Sequence, residues 1–455
     1  MKSQHQAALG LLLAVAILAG PAVVLAASTD KPNIVIVFTD DQGYGDLGCF
    51  GSQTIDTPRI DRLATEGTRF TSFYAQPVCG PSRAALNTAR YPVRTGNGWS
   101  VSGKEVTTAE VLKEAGYTTC CLGKWDMSGR RPVLDRMPNA QGFDYYFGTL
   151  GANDRGHVRF YENNNPAGET SDMACLTRMY TDKGIDFIKK HKDGPFFLYL
   201  AHNMAHSVIG ASKEYHGKSK DGLYGDVIEE IDFQTGRLLD VLDELGLSKN
   251  TIVVFTTDNG PWSNAKESMR RRNNGNIAWG SAGPLREAKG STYEGGLRVP
   301  CLIRWPGHVP AGRTNDAIFS TLDILPTLAH LGGGKVPEGR TLDGTDQTDL
   351  LLGKSETGAR EDFYYFSKGS LHGVRVGKWK LLLAERPETY GYVDDKGPGV
   401  DELFDLSTDM GEQRNLAEQY PEIVERLKKR MNDNWSEFLQ KRKEEQAKKA
   451  KNKKK

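Results

Sequence analysis

The sequence predicts an α/β protein with a large, mostly parallel β-sheet flanked by helices and a smaller antiparallel sheet-plus-helix region at its C-terminal end. Three observations carry this. Short apolar runs rich in β-branched and aromatic residues recur from residue 31 to about residue 335. Amphipathic stretches at helical spacing alternate with them, the pattern of a parallel sheet with crossover helices. After about residue 340 the pattern changes to short strands separated by turns.

In chain order, NIVIVF (33–38) is the first strand, continuous and apolar as a strand buried on both faces should be. PRIDRLATEG (58–67) and TAEVLKEAG (108–116) carry apolar residues at helical spacing. TTCCLG (118–123) is a strand, with Cys120 and Cys121 as its buried side chains. FFLYLA (196–201) and TIVVFTT (251–257) are two more strands, with a helix over 225–246 between them. Gly67, Gly116 and Gly246 stand where left-handed C-caps would stop the three helices. In the C-terminal region, 340–440, FYYFSK, GVRVGKWKLLL and DELFDL are strands and PEIVERLKKRMNDNWSEFLQ is a helix. The basic tail, 441–455, is low in complexity and is expected to be solvated and disordered.

The 455 residues are enough for a large core and a second, smaller domain, here 31–335 and 340–440. A formal net charge of +1 gives no whole-molecule field toward nucleic acid or an anionic membrane. Attraction for an anionic substrate must come from a local cluster. Residues 1–26 have the form of a secretory signal: Lys2, an apolar run from Ala7 to Ala19, a break at Gly20-Pro21, then Val24-Leu25-Ala26. The mature chain is therefore expected to be exported, periplasmic or secreted, with no stable membrane insertion after cleavage. The six cysteines show no paired zinc spacing.

In open α/β sheets, sites form at the carboxyl ends of strands. The first strand runs into Asp40-Asp41, a later one into Asp258-Asn259-Gly260, and a third leads through His202 to His206. One Asp after a strand is usually a turn or a cap. Two adjacent carboxylates and an Asp-Asn pair are better explained by a hard cation with all-oxygen ligands, calcium or magnesium rather than zinc. Cys79-Gly80-Pro81-Ser82-Arg83 places a cysteine at the positive end of a helix beside an arginine, where an anion is favoured.

CGPSR followed by AALNTAR closely resembles the signature of type I sulfatases, members of the alkaline-phosphatase-like superfamily. DDQGYGDLGCFG (40–51), GKW (123–125), GFDYYFG (142–148), TDNGP (257–261), KGSTYEGGLRVP (289–300), DILPTLA (323–329) and FDLSTDMGEQRNLA (404–417) resemble further family segments, in family order. The resemblance implies a sulfuric ester hydrolase whose cysteine, Cys79, is oxidised to formylglycine by a maturation enzyme, and whose substrate is a sulfated carbohydrate. It implies one calcium ion held by Asp40, Asp41, Asp258, Asn259 and the formylglycine at position 79. Arg83 matches the residue that holds the hydrated aldehyde near the metal. Lys124 and Lys289 match the lysines that grip the sulfate, and His206 the histidine that protonates the leaving alcohol. Calcium with two lysines would neutralise charge shifting across the sulfate oxygens.

One position departs from the family pattern. Where it reads Gly-Lys-Trp-His, this chain has Asp126, a carboxylate of ordinary pKa ~4 in place of an imidazole. Asp126 is the first candidate to remove the proton that ejects sulfate; His157 is another, and crippled turnover is the third reading. Ala89 replaces a family glycine, a methyl expected inside a helix. His202 reads as packing or substrate contact, while Arg270-Arg271-Arg272, flanked by Trp262 and Trp279, could hold further sulfates and sugar rings. A phosphonate or phosphodiester hydrolase and a non-hydrolytic sulfoglycan-binding protein are the alternatives, the first opposed by Lys124 and Lys289, the second by the intact metal and nucleophile set.

Overall fold

The computed structural model describes residues 31–263, 280–392 and 397–452, apart from the side chains of 437–439 and 441–452. Residues 1–26, read above as a secretory signal, Arg270–Arg272 and Trp279 lie outside the described residues. Eleven strands form the large sheet: β1 (Asn33–Thr39), β2 (Thr68–Tyr74), β3 (Thr118–Lys124), β4 (Tyr145–Thr149), β5 (Val158–Glu162), β6 (Asn165–Thr170), β7 (Phe196–Ala201), β8 (Thr251–Thr257), β9 (Arg298–Arg304), β10 (Arg313–Asn315) and β11 (Phe319–Ser320). Their spatial order is β10-β2-β9-β8-β1-β7-β3-β4-β5-β6, with β11 also beside β2. The centre, β8-β1-β7-β3-β4, is parallel throughout. β9 runs antiparallel to both neighbours, and β5 and β6 form an antiparallel edge.

Every residue of β1, β7 and β8 is buried, because helices cover both faces of the sheet. Val35, Val37, Leu198, Leu200, Val253 and Phe255 face one layer, formed by α1 (Pro58–Glu66), α4 (Leu176–His191) and α5 (Gly222–Glu244). The alternate residues Ile34, Ile36, Phe38, Phe197, Tyr199 and Val254 face α2 (Cys79–Thr88), α3 (Thr108–Glu114) and α6 (Ile324–Gly332).

A second, four-stranded antiparallel sheet follows in the order β12 (Asp362–Ser367), β13 (Ser370–Val376), β14 (Trp379–Leu382), β15 (Glu402–Asp405). Helix α7 (Pro421–Asn452) packs on it through Val424, Leu427, Met431 and Trp435. Phe363 of β12 stacks on Tyr74 of β2, with ring centroids 4.7 Å apart, so the two sheets share a core. Among the described residues no helix is long and apolar enough to cross a membrane.

Three local expectations need correction. Gly116 and Gly246 have the left-handed φ of helix caps, 90° and 69°, but Gly67 after α1 is extended. A side chain there would meet Ile303 O at 2.2 Å, so Gly67 serves the close approach to β9 instead. Ala89 is not inside a helix: it caps α2 at φ 56°. The tail continues α7 as far as Asn452, as its Glu, Lys and Ala content favours.

Candidate active site

Strands β8, β1, β7 and β3 lie side by side and parallel, so their carboxyl ends open on one edge of the sheet. β1 delivers Asp40 and Asp41 there, β8 Asp258 and Asn259, β7 the segment to His206, and β3 ends in Lys124 with Asp126 two residues on. The antiparallel β9 begins at the same edge, and Lys289 precedes it. The backbone N–H of Lys289 donates to Pro261 O at 2.9 Å, tying the chain entering β9 to the chain leaving β8. Helix α2, buried over its whole length, presents Cys79 at its N-terminal end. Ligand atoms of Asp40, Asp41, Cys79 and His206 all lie within 4.8 Å of one another.

The polar contacts pair each acid with a base. Arg83 donates to Asp258 Oδ2 at 2.7 Å and to Lys124 O at 3.0 Å, and lies 3.6 Å from Asp40 Oδ2. Lys124 Nζ stands 2.5 Å from Asp40 Oδ2, and Lys289 Nζ 2.6 Å from Asp41 Oδ1. His206 donates from Nδ1 to Ser207 O at 2.7 Å, since a carbonyl can only accept. Its Nε2 then points between Asp41 Oδ2 at 3.7 Å and Asp154 Oδ1 at 3.6 Å. Asp126 is fully buried, with Oδ1 2.8 Å from Arg130 Nε and Oδ2 3.7 Å from Lys124 Nζ. Asp41 and Asp126 both have left-handed backbones, φ 55° and 52°, a conformation Asp tolerates better than most residues.

Burial and charge set the protonation pattern. Burial pushes the Asp40 carboxyl up, but Lys124, His206 and Arg83 outweigh it and hold it well below the carboxylate range. Asp258 is raised by burial and by the Asp40 charge. The Cys79 thiol is raised by burial, beyond what Lys124 and Lys289 offset, so an unmodified thiolate is disfavoured here. His206 is lowered by burial and by Lys289. Asp154 resists its burial because His206 and Arg130 hold it down.

The donor set suits a hard cation. Asp40, Asp41, Asp258 and Asn259 offer only oxygens, and Oδ1 of Asp40 and of Asn259 are buried without a protein partner. Asn259 is held in that orientation by donating its amide to Asp41 Oδ1 at 2.8 Å. His202 is 1% exposed, neither ring nitrogen has a protein partner, and burial with the Arg83 charge takes its pKa down to about 3. His157 stands against Glu169 and Ser171 beside the β5–β6 edge, outside the cluster. Trp262 is 3% exposed and lies against His206 and Lys289, a wall of the site.

Arg130, Asp154, Trp99 and Tyr392 join the site without a motif to announce them. Tyr392 reaches it from the segment between β14 and β15, its ring 5.4 Å from both Lys289 Nζ and the Trp262 ring. Asn153 fixes the His206 segment by donating to His206 O and Val208 O at 2.9 and 2.7 Å. The polar loop GANDRG was the only hint of either Asn153 or Asp154.

The profile of the family described as Sulfatase matches residues 32–334, and that of the N-sulphoglucosamine sulphohydrolase C-terminal region matches 288–437. The mouse N-acetylgalactosamine-6-sulfatase is 38% identical over 394 residues, 79% of this chain and 73% of that protein. Human arylsulfatase A is 36% identical over 450 residues, 87% of this chain and 86% of its own length. A solved structure from work on the metabolism of multiple glycosaminoglycans by Bacteroides thetaiotaomicron (6S-sulf) superposes with a TM-score of 0.79 at 30% identity, covering 89% of this chain and 99% of that one. With a profile match across the whole large sheet and relatives of this identity over most of its length, the chain belongs to the sulfatase family and is a sulfuric ester hydrolase.

Proposed function

We propose that this exported protein, its signal at 1–26 removed, hydrolyses sulfate esters of carbohydrates with a formylglycine made from Cys79 and one calcium ion. Residues 31–335 would form the catalytic domain and 340–440 the subdomain that closes its side. The observation that carries this reading is the buried helix N-terminus holding Cys79 against two carboxylates and His206 within 4.8 Å, with Lys124 and Lys289 paired to the same carboxylates. Sulfated glycosaminoglycan sugars are the substrate class that the named relatives suggest.

Calcium held by Asp40, Asp41, Asp258 and Asn259 would supply a Lewis acid, and the hydrated aldehyde at position 79 a hydroxyl nucleophile. The chain's own groups do the rest. Arg83 fixes Asp258 and Asp40 in place with charge-assisted hydrogen bonds. Lys124 and Lys289, fully buried, put two fixed positive charges where negative charge spreads over the sulfate oxygens. His206 has its Nδ1 proton committed to Ser207 O, so Nε2 hands a proton to the leaving alcohol from the imidazolium, the form that Asp41 and Asp154 beside Nε2 favour against the burial that opposes it. Asp126 receives a proton at Oδ2, which Arg130 Nη2 contacts at 3.4 Å, while Oδ1 is held by Arg130 Nε at 2.8 Å.

The experiment is sulfate release from a panel of sulfated sugars and an aryl sulfate, with protein co-produced with a formylglycine-generating enzyme and checked by mass at position 79. Sustained release is expected, and Cys79→Ala should abolish it. Activity in that variant overturns the mechanism.

A further inference from the structure

The contacts around Asp126 continue outward to the surface. Arg130 grips Asp126 with Nε at 2.8 Å, and its Nη1 donates to Asp154 Oδ2 at 2.8 Å. Asp154 Oδ1 in turn lies 3.6 Å from His206 Nε2. In this chain of four, Asp126 and His206 are buried, whereas the side chains of Arg130 and Asp154 are 40% and 32% exposed. Trp99, half-buried, lies beneath the guanidinium, 5.2 Å from its centre. The same indole covers the helix end that carries Cys79: a side chain at Gly80 would stand 2.5 Å from Trp99 Cε3. An aromatic face, a guanidinium edge and a carboxylate therefore meet next to the reacting position, on the side where His206 presents Nε2.

We propose that Arg130, Asp154 and Trp99 form the subsite for the sugar ring bearing the scissile ester, and that they read its neutral hydroxyls rather than a second anionic group. The proposal rests on the sulfatase reading above. An alcohol that takes its proton from His206 Nε2 must leave beside Asp154, because the two atoms are in contact range. A sugar offers C–H groups for the part of the half-buried indole still exposed, and hydroxyls that donate to a carboxylate and accept from a guanidinium. The partners Arg130 already holds decide between hydroxyls and a further anion. Arg130 is shared by two carboxylates, so its positive charge is already matched. Nε, Nη1 and Nη2 of Arg130 already donate to Asp126 and Asp154, which leaves the guanidinium no open fork for a second sulfate or a uronate carboxylate, and the Asp154 charge beside it would repel one.

A purely structural ion pair is the competing explanation, and a partly exposed one contributes little to stability. The two differ in what they do to kinetics. Wild type, Arg130→Ala, Arg130→Lys and Asp154→Asn, each converted at position 79 and checked for unchanged melting, would be assayed on 4-nitrophenyl sulfate, N-acetylgalactosamine 6-sulfate and the 4,6-disulfated sugar. For Arg130→Ala and Asp154→Asn, the ratio of kcat/KM on the monosulfated sugar to that on the aryl sulfate is expected to fall at least about tenfold, mostly through KM, with partial recovery in Arg130→Lys. Wild type should prefer the monosulfated to the disulfated sugar. Equal losses on sugar and aryl substrate, no loss on either, or a wild-type preference for the disulfated sugar overturns the subsite. If a variant does not fold, calorimetric binding of N-acetylgalactosamine 6-sulfate to Cys79→Ala protein, with and without Trp99→Ala, gives the same answer: equal affinity refutes it. A converted wild type that releases sulfate from none of the three refutes the sulfatase reading first, and this one with it.

Discussion

Asp126 has two cations and no solvent around it, which limits what a carboxylate can do there. Lys124 at 3.7 Å and Arg130 at 2.8 Å hold it in one orientation, with Oδ2 the less committed oxygen. If that oxygen takes the proton that ejects sulfate, Asp126→Asn should slow sulfate release at least about tenfold more than alcohol release, seen as a burst of alcohol without matching sulfate. Equal slowing of both would remove Asp126 from the step. Ala89 makes a smaller test. Its left-handed cap costs about 1–2 kcal/mol, which Gly would relieve, but Gly forfeits about 0.8 kcal/mol of buried methyl and some chain entropy. Ala89→Gly should therefore shift stability by less than about 1 kcal/mol in chemical denaturation. The residues that end strongly patterned strands, Asp40, Asp41, Asp258 and Asn259, were legible because pattern and position agree. Arg130, Asp154 and Trp99 were not, since a charged or aromatic loop residue looks the same in sequence whether it faces water or meets a partner 24 or more positions away. His157 shows the reverse: a histidine that chemistry could have used, placed by the fold beside Glu169.

At the scale of elements, α1 illustrates how helices are finished by their neighbours. Thr57 at its N-cap makes no side-chain capping bond. Asp232 on α5 supplies it instead, accepting from Ile60 N at 2.6 Å and Arg59 N at 3.2 Å. Burial raises the Asp232 pKa to about 7, against two backbone hydrogen bonds that lower it. Below the ordinary carboxylate value both folded and unfolded chains hold the proton. Between about pH 4 and 7 only the folded chain does, so stability contributed by this group falls as pH rises through that window and levels off above it. Asp232→Asn keeps one acceptor and cannot titrate, so its stability should lose that slope between pH 4 and 7, measured by urea melts at each pH. An unchanged slope would assign the effect to other groups. The four strands read from continuous apolar runs, β1, β3, β7 and β8, fall within a residue of their expected bounds, but GVRVGKWKLLL, read as one strand, is two, β13 and β14, broken by a turn at the left-handed Gly377. The antiparallel direction of β9 was not legible, since RVPCLIR carries an apolar run like those of the parallel central strands and direction is fixed by connection, not by composition.

Over the whole molecule, the two sheets are joined by a buried charged group as well as by aromatic packing. Lys380 of β14 sits 2.9 Å from Glu294 and 2.7 Å from Glu412, all three without solvent exposure. Burial pushes both carboxyls up; Lys380, Arg298 and Arg375 overcome this at Glu294, while Glu412, facing the Glu294 charge, stays raised. Lys380→Met would leave those carboxyls without their shared cation and should cost about 3–5 kcal/mol in denaturant unfolding. A loss under 1 kcal/mol would mean that the aromatic core alone holds the sheets. The calcium ion proposed for the active edge would act on the whole fold too: chelation is expected to lower the melting temperature and added calcium to restore it, and Asp258→Asn should blunt that response. The bond from Lys289 N to Pro261 O, with Gly260 N donating to Gly296 O at 3.0 Å, clasps the chain as it leaves β8 and as it returns toward β9. That clasp uncouples two kinds of evolutionary change. The sequence between Trp262 and Ala288 can lengthen, each doubling costing only about 0.6 kcal/mol of closure entropy, without displacing Asn259 or Lys289. A lineage can therefore accept insertions there while the charged centre stays in register.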